Sequence, residues 1–297
     1  MIRSVYVIFS HRLKHLSIMK ITVLIDNTGD ANGTLTCEHG LSIYFEKDGK
    51  KYLYDTGASH LFIDNAKTLG IDISDIDALI LSHLHDDHTG GLQAFLKVNE
   101  KAKIYLSDKA KNTRCYSFNS GSQREISIDF DCISNTPSRF YDISKTEEIA
   151  LGITIVPCKK GHYACPKGNT VMKQSDRKGD LLIEDSFNHE LAVVLTNNDT
   201  QTILSACSHN GFLNIIDTVK QLNPILPINT FIGGLHFPNA RPGQHLEQDS
   251  DFEQLASQLK SLAPEIRIVT GHCTGSNAIA ALSKYIKLET FHSGFTI

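Results

Sequence analysis

Residues 81–91, LSHLHDDHTGG, bring three imidazoles and a carboxylate together at a spacing that suits metal ions. His83 and His85 are two positions apart, so in an extended chain they project to the same side and can bind one metal. Asp87 and His88 follow directly and can face a neighbouring point, which suits a second metal. Three histidines within six residues are uncommon in a plain surface loop, and closed structural zinc sites usually include cysteines. The stretch therefore predicts a metal centre.

The elements around this stretch place it on a strand-to-helix loop. ALILS (78–82) has the composition of a buried strand, and GGLQAFLKV (90–98) can begin a helix. Such loops commonly carry functional groups. The glycine pair lets the backbone turn closely behind the ligands, and Asp86 is expected to be only a spacer.

Strand and helix patterns alternate along the chain and predict a layered α/β (α+β) fold with mixed sheets. The strand patterns lie at 21–25, 41–45, 51–54, 78–82, 103–107, 153–157, 191–196, 202–206, 230–234 and 266–270. The helical patterns lie at 59–70, 210–222, 251–262 and 276–286. KDG at 47–49 predicts a hairpin turn. Residues 108–150 and 158–189 are the least regular and are expected to be loops or insertions near a site.

The motif His83-x-His85-x-Asp87-His88 after a strand resembles the HxHxDH signature of the metallo-β-lactamase superfamily. YLYDTGAS (52–59) resembles the strand and turn that precede that signature. SACSHNGFLNII, FIGGLHF and VTGHCTG are similar to a subgroup of metal-dependent hydrolases named after archaeal dihydropterin ribofuranosyl-aminobenzene 5'-phosphate synthases. The resemblance spans residues 19–285. It implies one domain over 19–297, a four-layer αββα sandwich with metals at one sheet edge.

The resemblance also implies partners for the histidine-rich loop. His272, in VTGHCTG, resembles the superfamily's last histidine and is assigned to the second metal with Asp87 and His88. The third histidine of the first metal is either His209, after TILSA, or His162, after ITIVP. His209 is favoured because the subgroup pattern contains its CSH motif.

Three further residues are expected to support the metals. Many superfamily members carry an aspartate that bridges the two ions, and here Cys207 occupies the comparable strand end. It is read either as a thiolate ligand or as a buried structural cysteine. Asp55 and Asp26 are predicted to orient ligand imidazoles by accepting their N–H groups, or else to stabilise turns.

A substrate site is expected beside the metals. His236, in FIGGLHF, is predicted to line the pocket. Thr274 and Ser276 stand at the start of a helix directly after His272, where free N–H groups attract anions. The pair is therefore predicted to bind a substrate phosphate or carboxylate, with a plain helix cap as the other interpretation.

These features predict a metal-dependent hydrolase that uses a metal-bound hydroxide on a phosphoester or other small anionic ester. Two divalent cations are expected, zinc first, with iron or manganese as alternatives. Asp87 and His209 are the residues expected to take part in catalysis. The alternatives are group transfer onto a pterin precursor, which the subgroup name implies, and metal binding without catalysis. Diiron redox chemistry is disfavoured because its signature resembles HxExDH, and His85 stands at the glutamate position.

Composition excludes several other classes. The 297 residues carry a net charge of -4 without a basic block, which argues against nucleic acid and anionic lipid as partners. No apolar run reaches the length that a bilayer requires. Seven cysteines without a CxxC pair indicate reduced thiols in a cytoplasm rather than a disulfide framework. Residues 1–18 are expected to be an extension outside the fold.

Overall fold

The computed structural model describes residues 19–119, 122–176, 178–179, 181–240 and 246–297. The extension expected at residues 1–18 lies outside the described residues. The strands are β1 (Lys20–Ile25), β2 (Ser42–Lys47), β3 (Lys50–Tyr54), β4 (Ala78–Ile80), β5 (Lys103–Ser107), β6 (Thr113–Asn119), β7 (Ser122–Glu125), β8 (Phe140–Ile143), β9 (Glu147–Ala150), β10 (Ile153–Pro157), β11 (Met172–Asp176), β12 (Ile183–Glu184), β13 (Leu191–Asn197), β14 (Thr200–Ser205), β15 (Ile228–Gly233), β16 (Arg267–Thr270) and β17 (Leu288–Thr290). The α-helices are α1 (Leu61–Thr68), α2 (Asp86–Thr89), α3 (Leu92–Val98), α4 (Phe130–Asn135), α5 (Phe212–Leu222), α6 (Asp249–Leu262) and α7 (Ser276–Leu282).

The strands form two large sheets and one small one. The first sheet has the order β1-β2-β3-β4-β5-β8, and the second has the order β17-β16-β15-β14-β13-β10-β9. Each large sheet contains antiparallel hairpins and parallel strands, as the mixed pattern of the sequence predicts. The small sheet, β12-β11-β6-β7, is antiparallel throughout.

Three apolar clusters show how the layers pack. One lies between the large sheets, where Ile43 and Phe45 of β2 meet Val193 of β13 and Ile232 of β15. A second packs α1, α3 and α4 against the outer face of the first sheet. The third packs α5, α6 and α7 against the outer face of the second. The order helix, sheet, sheet, helix confirms the four-layer αββα sandwich.

The strands and helices predicted from the local pattern of apolar residues are confirmed. All ten predicted strands are present, and helices occupy the four predicted helical segments. Asp48 and Gly49 join β2 to β3 with φ of 52° and 76°, which is the two-residue turn that matches the twist of a hairpin.

The irregular regions differ from the prediction. Residues 108–150 and 158–189 were expected to be loops, but four of their segments form the small sheet. β6 pairs with β11 across more than fifty residues, and every residue of β7 is exposed. Short polar strands paired over such a distance leave no clear alternation of apolar residues, so the sequence pattern does not reveal them.

The fold gathers strand ends at one edge. β14, β15 and β16 run parallel, so the loops that follow them leave the second sheet on the same side. The loop after β4, from the first sheet, meets them there. Among the described residues, no helix combines the length and the apolar character needed to cross a bilayer.

Candidate metal centre

The backbone conformation of residues 83–88 explains how the four predicted ligands of this segment face two different positions. The chain stays extended through His85, which has φ of -73° and ψ of 144°, so His83 and His85 project together while Leu84 is buried in the core. The helix α2 then begins at Asp86. This turn redirects Asp87 and His88 away from the first pair, as the sequence predicts.

The first set of ligand atoms consists of three imidazoles. His83 Nε2 lies 3.1 Å from His85 Nδ1. The ring of His209 lies 5.0 Å from that of His83 and 4.9 Å from that of His85. One nitrogen of each ring lies within 4.8 Å of the other two. His209 Nε2 is buried without a hydrogen-bond partner.

His209 is held in place by residues before β13 and in the small-sheet region. Its backbone N–H donates to Glu190 Oε1 at 2.7 Å, and its Nδ1 lies 3.0 Å from Asn169 Oδ1. Phe187 stacks on the imidazole at 4.3 Å with an angle of 4° between the planes. These contacts leave Nε2 as the free nitrogen that faces His83 and His85.

The second set consists of Asp87, His88 and His272. The Nε2 atoms of His88 and His272 are 3.1 Å apart, and each lies 3.4 Å from Asp87 Oδ2. Cys207 Sγ is 3.2 Å from His88 Nε2 and also within 4.8 Å of a nitrogen of His83. The thiol therefore lies beside both sets, in agreement with the comparison of Cys207 to the position of the superfamily's bridging aspartate.

The outward nitrogens of these rings are already bonded. His88 Nδ1 lies 2.8 Å from Asp55 Oδ2, and His272 Nδ1 lies 3.0 Å from Asn27 Oδ1. If both Nδ1 atoms donate, both Nε2 atoms carry lone pairs that face each other and the Asp87 carboxylate. In that state the three groups present lone pairs and a negative charge to one point, so the second set fits a divalent metal.

Asp55 contacts a residue of the second set directly and one of the first set through Ser82. Besides His88, its carboxylate accepts hydrogen bonds from the backbone N–H and the hydroxyl of Ser82. The Ser82 hydroxyl lies 2.7 Å from His83 Nδ1, which leaves His83 Nε2 for a metal. Asp55 has φ of 63°, a conformation rare outside glycine that points to a functional constraint.

Asp26 follows the second interpretation given for it, the stabilisation of a turn, rather than a contact with an imidazole. Its Oδ1 accepts from the backbone N–H of His272 at 2.8 Å and its Oδ2 from that of Thr28 at 2.9 Å. The imidazole contact expected of Asp26 is made instead by Asn27. A short side chain immediately after the strand reaches backbone groups first, so Asp26 fixes the backbone of His272, whose φ is 50°.

The charges of the site are strongly coupled. Burial disfavours ionisation of Asp87, but His88 and His272 outweigh it and hold the pKa of Asp87 well below its usual range. Burial also disfavours the charged form of His88, yet Asp87 and Asp55 raise its pKa to about 10. Burial, together with neighbouring imidazoles, lowers the pKa of His83 and of His209. Burial opposes the charged form of His85 as well, but Asp185 and Cys115 raise its pKa to about 9. His83 and His209 are therefore neutral and ready to bind a metal, whereas His85 and His88 each carry a proton that a metal must displace.

Four of the six candidate ligands line a cavity of about 840 Å³, namely His85, Asp87, His209 and His272. His236 lines it beside Cys207, as predicted, and both of its ring nitrogens are buried without a hydrogen-bond partner. Asp86 also lies at the wall and is more than a spacer, since it forms an ion pair with Arg124 at 2.6 Å.

The predicted anion site at the start of α7 is not supported. The hydroxyl of Thr274 is buried, accepts from the backbone N–H of Leu235 and contacts Thr270. Ser276 is exposed and its hydroxyl accepts from the Asn239 side chain. Asn239 Oδ1 also accepts from the backbone N–H of residue 277, so a side chain already occupies the helix start. The sequence around α7 does not reveal this contact, because Asn239 is distant from the helix along the chain.

The structure separates the two candidates for the third histidine. His162 is exposed and its Nδ1 lies 3.9 Å from Asp217 Oδ2 on α5. It belongs to none of the potential metal-binding groups found among the described residues, whereas His209 belongs to the first set. The ligand roles themselves stay predictions.

Several residues around the centre were not predicted from the sequence. Asp185, His189 and Glu190 all lie in the segment EDSFNHE, just before β13, and all are buried. A cluster of acids and a histidine ahead of a buried strand was the available signal, but the segment fell within a region expected to be irregular. His39, the fourth omission, lies 3.4 Å from Asp87 Oδ2.

Comparison with known proteins agrees with this geometry. Residues 35–182 match the family model described as the metallo-beta-lactamase superfamily. The chain is 25% identical over 302 residues to 7,8-dihydropterin-6-methyl-4-(beta-D-ribofuranosyl)-aminobenzene-5'-phosphate synthase of Methanocaldococcus jannaschii, covering 93% of this chain and 95% of the synthase.

Two solved structures share the fold. Tm1679, described as a metal-dependent hydrolase of the beta-lactamase superfamily, matches with a TM-score of 0.75 and 24% identity, covering 94% of this chain and 98% of Tm1679. A diphosphatase from the PhnP family matches with a TM-score of 0.50 and 15% identity, covering 94% and 96% of the two chains.

Proposed function

We propose that this chain, which matches the metallo-beta-lactamase superfamily over residues 35–182, is a metal-dependent hydrolase acting on a phosphoester or another small anionic ester. The observation that carries this proposal is the convergence of six ligand side chains in two adjacent sets, and four of these side chains line one cavity. The members are His83, His85 and His209 in the first set, and Asp87, His88 and His272 in the second.

The donor types fit two divalent cations. Three imidazoles that bind in their neutral form suit zinc and also iron or manganese, and a carboxylate with two imidazoles suits the same ions. Cations bound in the two sets would supply an acidified water and positive charge against the negative charge that develops on the substrate. Two adjacent positive ions also favour an anionic substrate, which supports that part of the proposal.

The protein's own groups would orient the reactants. Asp87 is ionised, so its carboxylate can ligate and also accept a hydrogen bond from a water in the cavity. His209 and His236, whose rings are 4.1 Å apart, lie on the same wall, where an imidazole can contact substrate. We assign to Asp87 the positioning of the attacking water, and to His236 a contact with substrate.

A second candidate is group transfer onto a pterin precursor. It is supported by the likeness to the archaeal synthase, which extends over nearly the whole of both chains. The same cations would polarise a phosphorylated substrate in either reaction. The two reactions differ in the acceptor, since hydrolysis uses water and transfer uses a second substrate.

The test is turnover in ¹⁸O-labelled water with phosphodiesters, phosphomonoesters, lactones and thioesters. We expect label in the product, loss of turnover with a chelator, and recovery on adding zinc or manganese. The variant His209→Ala should lose activity, whereas His162→Ala, which changes an exposed histidine, should keep it. Turnover that persists in verified metal-free protein would contradict the proposal. An unlabelled product formed only with a second substrate would favour group transfer.

A further inference from the structure

Four buried side chains form another group directly behind the first set. They are His85, Cys115, Asp185 and His189, and each is at most 3% exposed. One donor atom from each lies within 4.8 Å of all the others. The group has two imidazoles, a thiol and a carboxylate, which is a donor set that zinc accepts.

The distances within this group fit a four-coordinate ion. His189 Nε2 lies 3.3 Å from Asp185 Oδ1 and 3.7 Å from Cys115 Sγ, and His85 Nε2 lies 3.9 Å from Asp185 Oδ2. In a tetrahedral zinc site with bonds of about 2.0–2.3 Å, neighbouring donors are about 3.4 Å apart for nitrogen and oxygen and about 3.6 Å for nitrogen and sulfur. The observed separations are close to these values, the longest being the one to His85.

One atom without a hydrogen-bond partner faces the same group. His85 Nε2 is buried and makes no hydrogen bond, although its Nδ1 faces His83. A buried polar atom without a partner is costly unless something absent from the protein chain satisfies it. The Asp185 side chain is fixed in position, because its Oδ1 accepts a hydrogen bond from the backbone N–H of Phe187 at 2.7 Å.

We propose that Cys115, Asp185 and His189 hold an additional zinc ion, with His85 Nε2 as the fourth ligand. With His85 as a neutral ligand, the thiolate and the carboxylate would neutralise the two charges of the ion, so the buried site would carry no net charge. All four positions are filled by protein groups, as in structural zinc sites. The ion would tie β6 of the small sheet and the segment before β13 to the histidine-rich loop.

His85 would connect this site to the first set. Its Nδ1 faces His83 while its Nε2 faces Asp185, so with both sites filled the ring would bridge two ions and release its remaining proton. The additional ion would thus fix the orientation of a ligand of the proposed catalytic centre. This inference concerns metal binding and does not depend on which reaction the centre performs.

The test compares Cys115→Ser with Cys158→Ser, a control that changes another buried cysteine outside the metal-binding groups. The full chain is reconstituted with zinc and its metal content is measured. We expect Cys115→Ser to bind one zinc ion fewer than the wild type and the control to match the wild type. Equal content in all three proteins would overturn the proposal.

A second measurement covers the case in which Cys115→Ser fails to fold. In the double variant Cys207→Ser/Cys273→Ser, which lacks the two thiols that line the cavity, zinc-edge X-ray absorption should still show a sulfur neighbour at about 2.3 Å. Absence of sulfur in that folded protein would overturn the proposal. Asp185→Asn should also lose one zinc ion while retaining those of the other sets. Loss of zinc from the second set in His272→Ala tests the catalytic centre separately.

Discussion

Asp55 Oδ2 lies 2.8 Å from Nδ1 of His88, a residue 33 positions further along the chain. The same carboxylate bonds Ser82, whose hydroxyl contacts His83. One side chain therefore orients a ligand of each set. Asp55 follows β3 and the ligand loop follows β4, and these strands are parallel neighbours, so the sheet itself brings the groups together.

Replacement of Asp55 should weaken both metal positions. Asp55→Asn keeps the volume but removes the charge that orients His88 and, through Ser82, His83. Loss of such a carboxylate partner typically costs about 10- to 100-fold in metal affinity, and we expect a decrease of that order. Competition titration with a chromophoric chelator measures it. Asp64→Asn, which changes an exposed carboxylate on α1, is the control, and equal affinities in both variants would contradict the assigned role.

Metal loading should release a proton from His88. Burial opposes the charged imidazole, but Asp87 and Asp55 raise its pKa to about 10, so the metal-free protein holds this proton at pH 7. A metal needs the neutral ring, and the proton must leave. Removing Asp55 takes away one cause of the raised pKa, so Asp55→Asn should release fewer protons at pH 7. Titration calorimetry in buffers of different ionisation enthalpy counts them, and equal release would refute the coupling.

The two candidate histidines should behave differently in metal content. His209→Ala removes a ligand atom that is buried and free, so the protein should bind one metal ion fewer and lose turnover. His162→Ala changes an exposed side chain near Asp217 and should leave both properties unchanged. Elemental analysis and activity assays measure these outcomes. Normal metal content in His209→Ala would exclude His209 from the first set.

Cys207 should influence which metal is preferred. Its sulfur lies 3.2 Å from His88 Nε2, and a thiolate favours zinc over harder ions such as manganese. Cys207→Asp should therefore lower the affinity for zinc relative to that for manganese while preserving a donor beside both sets. Parallel titrations with the two ions measure the ratio. A ratio unchanged from the wild type would show that the thiol is not a ligand.

Metal removal should destabilise the fold. The His88 and His272 nitrogens and the Asp87 carboxylate converge within 3.4 Å, so a bound cation stabilises the native state selectively. A ligand present at one hundred times its dissociation constant adds about 2.7 kcal/mol of stability per site. We expect the midpoint of thermal unfolding to fall when chelator is added and to return with zinc. His272→Ala should show a smaller shift than the wild type, and identical shifts would contradict the assignment.

Local sequence determined the parts of this protein that depend on neighbouring residues. The alternation of apolar residues predicted ten strands, and the spacing of His83, His85, Asp87 and His88 predicted two directions of approach to metal. An extended chain followed by a turn of helix has a fixed geometry, so these relations do not need the rest of the molecule.

Only the tertiary structure decided which distant residues join the centre. It brought His209 to the first set and left His162 at the surface, placed Asn27 rather than Asp26 on the His272 ring, and filled the start of α7 with Asn239. It also gathered Asp185, His189 and Cys115 behind His85. These contacts depend on which strand ends share a sheet edge and on pairing between distant polar strands. The spacing of residues within a single segment does not determine either feature. These contacts therefore depend on how the whole chain packs.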